Sequence, residues 1–124
     1  MKKIIFLLLI SSTIFFIACN TNKAKGIVVN KWRIINIDMP DMPLPDTVKN
    51  AAMKGITEFK KDGKWSVTGM GHDQSGTYTL SDDGTTIFII SDSGTETNKI
   101  VELTKSKLIL YDSANNSRVT FVPR

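Results

Sequence analysis

Cysteine and histidine, the side chains that most often carry covalent or acid–base chemistry, occur once each in this sequence, as Cys19 and His72. His72 sits in Gly69-Met70-Gly71-His72-Asp73-Gln74-Ser75, beside an acid and near a hydroxyl. A Ser/His/Asp triad is defined by geometry and not by adjacency in the chain, so the stretch reads as a turn with a solvated histidine. Met39, Met42 and Met70 could join His72 as soft ligands for Cu(I). Methionine is equally a flexible apolar filler, and no metal is assigned to this set. Asp38, Asp41 and Asp46 alternate with prolines and lack the spacing of an EF-hand. Glu58, Glu96 and Glu102 have the chemistry of a glycosidase pair, yet alternation along their segments places them outward. No catalytic residue and no cofactor emerge from these groups, and a non-enzymatic protein is expected.

Cys19 has a different setting. Met1-Lys2-Lys3 is followed by an apolar run from Ile4 to Ala18, broken only at Ser11-Ser12-Thr13. A positive start, an apolar centre and a small residue at the end make a secretory signal. The run is shorter than the roughly 20 residues a membrane-spanning helix needs. Phe16-Ile17-Ala18-Cys19 resembles the bacterial lipobox, with Phe16 where Leu is usual. That resemblance implies removal of residues 1–18 and lipid attachment at Cys19. A lone thiol in an exported protein has no disulfide partner within its own chain, and two or three acyl chains anchor stably where one does not.

Residues 19–26 are polar and free of acids, and are expected to form a flexible tether. Asn20 is not the Asp associated with inner-membrane retention, and no acidic cluster follows it. The expectation is a periplasm-facing lipoprotein of the outer membrane. Loss of Lys2 and Lys3 takes the basic residues from 16 to 14 against 12 acids, a net charge of +2. The basic residues are scattered along the chain without interleaved aromatics, so nucleic-acid binding lacks its electrostatic footprint.

The elements that must position any site follow a regular beat. Turn clusters occur at Asp62-Gly63, Gly71 to Ser75, Asp82-Asp83-Gly84, Asp92-Ser93-Gly94, Lys105-Ser106 and Asn115-Asn116. Between them lie segments rich in β-branched and aromatic residues. Tyr78 and Leu80 alternate with Thr77 and Thr79, and Trp65 and Val67 with Ser66 and Thr68, each giving one apolar face. Strands are expected near 27–37, 56–60, 64–70, 76–80, 85–90, 95–103, 107–112 and 117–122. Sequential antiparallel strands that must hide their edges favour an all-β, eight-stranded up-and-down meander barrel over an open sandwich. Residues 38–55 interrupt the beat as a stiff, proline-rich lid carrying a short helix over 47–54. Asp46 is its expected N-cap, Gly55 its stop, and Val48, Ala51 and Ala52 its packing face.

With Asn30-Lys31-Trp32, Phe59 to Trp65, Gly76 to Gly84, Ile100 to Thr104 and Leu108-Ile109-Leu110 in this order, residues 27–124 resemble the small lipocalin-like lipoproteins of Bacteroidetes-type bacteria. Asn30 stands where lipocalins carry the glycine of Gly-x-Trp. The resemblance implies that Trp32 closes the barrel floor and that an arginine beyond the last strand, Arg124 or Arg118, stacks over it. It also implies a cup for a small lipophilic or amphiphilic molecule, with Phe59, Trp65 and Tyr78 as inward ligand-binding aromatics. Strands this short make a shallow barrel whose own side chains can fill it. The alternative is a structural or interaction role, in which the barrel, with its two-sided apolar stretches at 87–90 and 108–111, docks onto an envelope protein complex or inhibits an enzyme.

Metabolic labelling with palmitate tests the anchor. The intact chain is expected to take up label and sediment with membranes, and Cys19→Ser to do neither.

Overall fold

The computed structural model describes residues 23–71 and 73–124. The expected signal sequence, Cys19 and His72 lie outside them. Eight antiparallel strands succeed one another around a closed barrel: β1 (Asn30–Asp38), β2 (Ile56–Phe59), β3 (Lys64–Thr68), β4 (Gln74–Leu80), β5 (Thr86–Ser91), β6 (Gly94–Thr104), β7 (Lys107–Asp112) and β8 (Ser117–Pro123). β1 pairs with β2 on one side and with β8 on the other, so the ring has no free edge. The expected all-β meander barrel is therefore the observed one.

Alternation decides what fills the ring. Trp32, Phe59, Trp65, Tyr78, Ile87, Leu108, Leu110 and Phe121 turn inward and are buried. Two bulges interrupt the ladders, at Ile35 on β1 and at Val101 on β6. An extra residue on one strand sharpens its bend, which short strands need in order to close. It also leaves a side chain outside the alternation, and Ile35 and Val101 are both exposed.

The turns follow local chemistry. Gly84 (φ 72°) and Asn116 (φ 47°) occupy the left-handed region that glycine and asparagine tolerate. In the β4–β5 turn the Asp83 carboxylate accepts hydrogen bonds from Ser81 Oγ at 2.6 Å and Thr85 Oγ1 at 2.8 Å. These bonds favour the charged form and lower the Asp83 pKa to about 2.

Two segments differ from expectation. Residues 23–28 form a helix, α1, where a flexible tether and the start of the first strand were expected. The helix is held by burial of Ala24 and Val28 against the barrel, and Trp32 Nε1 donates to the Val28 carbonyl at 3.0 Å. Only the tertiary floor beneath it makes those two small apolar residues a packing face. The second helix, α2, spans Asp46–Met53, with Pro45 at the N-cap and no side-chain cap bond. Asp46 therefore sits inside the first turn, where its charge suits the helix dipole, and is not the cap. Ala52 alone of the three predicted packing residues is buried; Val48 and Ala51 are exposed. Gly55 follows the C-cap, Lys54, without a positive φ, and a Cβ there would strike the Met70 side chain at 2.5 Å.

A second glycine is fixed by the core. Trp65 Nε1 reaches across β4 to the Ile90 carbonyl on β5 at 3.1 Å. It passes directly over Gly76, where a Cβ would fall on that same carbonyl oxygen and within 2.9 Å of Trp65 Nε1. Gly76→Ala is expected to break the bond and push β3 from β5, costing about 1–3 kcal/mol by analogy with overpacked cores. Urea unfolding of the two proteins measures it.

Candidate ligand-binding cavity

An up-and-down barrel sorts its connections between two ends. Residues 39–55, 69–73, 92–93 and 113–116 link strands at one end, the rim. Residues 60–63, 81–85 and 105–106 link them at the other, the base, where α1 and Arg124 also lie. The interior is filled unevenly between these ends. Trp32, Ile87 and Leu108 close the base with no exposed surface, and Phe59 is nearly as buried. Toward the rim a cavity of about 200 Å³ remains.

The cavity walls change character with depth. Phe59, Trp65, Leu110 and Phe121 supply its apolar body, while Gln74, Ser91, Ser93 and Glu96 stand toward the rim. Thr57 and Asn98 line it between these zones and are both buried, at 8% exposure. Among the described residues, neither side chain has a hydrogen-bond partner, and no fully enclosed polar side-chain atom is left unpaired. Their polar atoms therefore face the accessible space of the cavity. Among the described residues, Glu96 is the one ionisable side chain in this lining.

The expected aromatic trio divides in two. Phe59 and Trp65 line the cavity, whereas Tyr78 packs beneath it. The Tyr78 ring meets Phe59 edge to face at 5.1 Å, and its hydroxyl donates to the Lys60 carbonyl at 2.6 Å. Burial, followed by the nearby Asp62 charge, raises the Tyr78 pKa. Trp32 is the buried floor residue expected of it, but its indole is engaged with Val28. Arg124 is tied through its backbone N–H to the Lys31 carbonyl at 3.0 Å. The guanidinium stacking found among the described residues is Arg118 over Tyr111, at 6.0 Å, and not over Trp32.

The proline-rich connection is not part of the cavity wall. No residue of 39–55 lines the cavity; the connection leans on the rim through Ala52 and through Asn116 Nδ2, which donates to Asp41 at 3.0 Å. Met42 is 64% exposed and Met70 lies against Gly55. No group of three or more acidic, cysteine or histidine side chains comes together among the described residues.

Asn98 and Thr57 were hidden from sequence reasoning as site residues, and Glu96 was placed outward. In β6 the alternating sets Thr95, Thr97, Lys99 and Glu96, Asn98, Ile100 are both largely polar, so alternation could not say which faced in. Pairing does: Glu96 lies opposite Ile89 and both line the cavity, which corrects its expected outward placement.

Tyr78 gives the floor a titratable signature. Unfolded chains lose this proton near 10.0, while the fold retains it to higher pH. Between those values the folded state binds more protons, so its stability falls as pH rises above about 10 and is unaffected below. Tyr78→Phe is expected to remove that component of the slope and to cost about 1 kcal/mol through the lost hydrogen bond. Thermal unfolding across pH 9–11.5, roughly the tyrosine range, compares the two.

No family model and no curated protein matches this chain. Among solved structures, a lipocalin-like protein from Bacteroides uniformis superposes with a TM-score of 0.62 at 20% identity, covering 80% of this chain and 100% of its own. A DUF4847-family protein from Bacteroides vulgatus superposes with a TM-score of 0.56 at 10% identity, covering 77% of this chain and 93% of its own. At these identities the likeness shows the fold alone, a lipocalin-like barrel.

Proposed function

We propose that the barrel is a lipid-anchored, non-catalytic binding module. Its ligand is a compact amphiphile with an apolar body about one ring in size and a neutral or cationic hydrogen-bonding head. The observation that carries this reading is the cavity's gradient, from Phe59, Trp65 and Phe121 through the unpaired polar groups of Thr57 and Asn98 to Glu96 at the mouth.

Size and charge narrow the occupant. The cavity of about 200 Å³ is near the roughly 150 Å³ that accommodates benzene and below the ~300–1,000 Å³ typical of drug-sized ligands. A fatty-acid head group would bring a carboxylate to Glu96 without a basic side chain among the described lining residues to offset it, and desolvating an unpaired anion is costly. An alcohol, amide or amine can instead donate to Glu96 and to the amide oxygen of Asn98. Anchorage rests on the lipobox-like Phe16 to Cys19 and the signal before it.

Docking onto an envelope protein through the 87–90 and 108–111 segments has less support. Ile87, Leu108 and Leu110 point into the core, and the exposed Ile35, Ile90 and Val101 sit on three different strands.

The test uses the mature chain with Cys19→Ser, exported behind a cleavable signal. Native mass spectra are expected to show a mass excess that denaturation removes. Trp65 fluorescence should respond saturably to a benzyl alcohol or benzylamine and weakly to benzoate. Glu96→Gln should lower the preference for amine over alcohol by about fivefold, the scale of a partly exposed charge pair. Benzoate binding as tightly as the amine would sink the assignment of the head group. A bare mass together with no saturable response to any of the three would sink the binding role.

A further inference from the structure

The charges that are scattered along the sequence are sorted by the fold. At the base, Lys31, Lys60, Lys61 and Arg124 line one surface depression, and Lys25 and Lys61 line a second that adjoins it at Val29. Glu58 is the one acidic side chain lining either depression. The ion pair among the described residues is Lys107–Glu102, so none of these five cations has an ion-pair contact there, and the single carboxylate beside them, Glu58, stands opposite Lys31 across β1 and β2. Asp62, Asp82 and Asp83 belong to the basal turns but do not line the depressions. The rim has the opposite balance: Asp41, Asp46, Asp73, Asp92, Asp112 and Glu96 against Lys49, Lys54 and Arg118.

The chain's own path gives the basic end its neighbour. α1 runs across the base, its first described residue is Lys23, and Cys19 lies four residues before it. Four residues span at most about 14 Å even when fully extended. An acyl anchor at Cys19 therefore holds the base, and not the rim, within reach of lipid head groups. Basic clusters at such a distance are attracted to anionic lipid surfaces.

We propose that the base of the barrel docks on an anionic phospholipid surface, with Lys25, Lys31, Lys60, Lys61 and Arg124 against the phosphodiester head groups and the cavity mouth turned away from the bilayer. The location of this contact rests on Cys19 being the anchor. The lipid preference is a property of the folded surface and is measured without acyl chains.

The experiment is sedimentation of the mature Cys19→Ser chain with vesicles of phosphatidylcholine alone or containing about one-third phosphatidylglycerol. Binding is expected to be at least about tenfold tighter to the anionic vesicles and to weaken as salt shortens the screening length from about 10 Å at 0.1 M to about 3 Å at 1 M. Lys60→Glu combined with Lys61→Glu should abolish the preference, whereas Lys49→Glu combined with Lys54→Glu, at the rim, should leave it. Circular dichroism of both double variants confirms the barrel. The proposal is overturned by equal binding to both vesicle types, by equal losses in the two double variants, or by full competition from millimolar inorganic phosphate. The last would indicate a small-anion pocket in place of a surface. Palmitate labelling of the unmodified chain is read separately, so failure of the anchor and failure of the lipid preference are distinguishable.

Discussion

Closure of β1 onto β8 is the constraint on which everything else in this molecule rests. Without that ladder the strands would form an open sheet with two unpaired edges, and the inward residues would share no common interior. With it, every inward side chain faces the same small volume. The two bulges, at Ile35 and Val101, make the bend affordable for strands of four to eleven residues. Closure also fixes the competition for space: Trp32, Phe59, Tyr78, Ile87 and Leu108 claim the base, and what is left toward the rim is the cavity.

Within that ring the aromatic residues have separate duties that their shared inward direction does not reveal. Trp32 joins α1 to the floor, and Tyr78 secures the β2–β3 turn through the Lys60 carbonyl. Trp65 links β3 to β5 across a glycine while also presenting its ring to the cavity. Because its indole N–H is already satisfied, it offers a ligand an apolar face and no donor. The hydrogen-bonding capacity of the site comes instead from Thr57, Asn98 and the groups at the mouth.

Much of this architecture was legible in the sequence because it is set by local chemistry. The Asp-Gly and Asn-rich turns, spaced by about one strand length, announced a meander, and the alternation around Trp65 and Tyr78 assigned their faces correctly. What escaped was whatever depended on the barrel being closed. The polar alternation of β6 carries no sign until Ile89 is set beside Glu96. Residues 23–28 are too few, and include Gly26, to hold a helix independently, and the helix forms where Ala24 and Val28 meet a floor built from distant strands. Lys25, Lys31, Lys60, Lys61 and Arg124 are up to 99 positions apart in the chain, a separation at which no window of sequence reveals a patch.

The backbone bond between Arg124 and Lys31 has a bearing on how the molecule can be handled. It brings the last described residue beside the start of β1, so both ends of the described chain lie at the base. A label or fusion partner added after Arg124 would emerge beside α1 and leave the cavity unobstructed. A short linker from Arg124 back to Lys23 could likewise join the ends, with new ones opened at the exposed Asn115 turn on the rim. Such a circularly permuted barrel would present its termini at the mouth, reversing which end of the molecule an attachment holds.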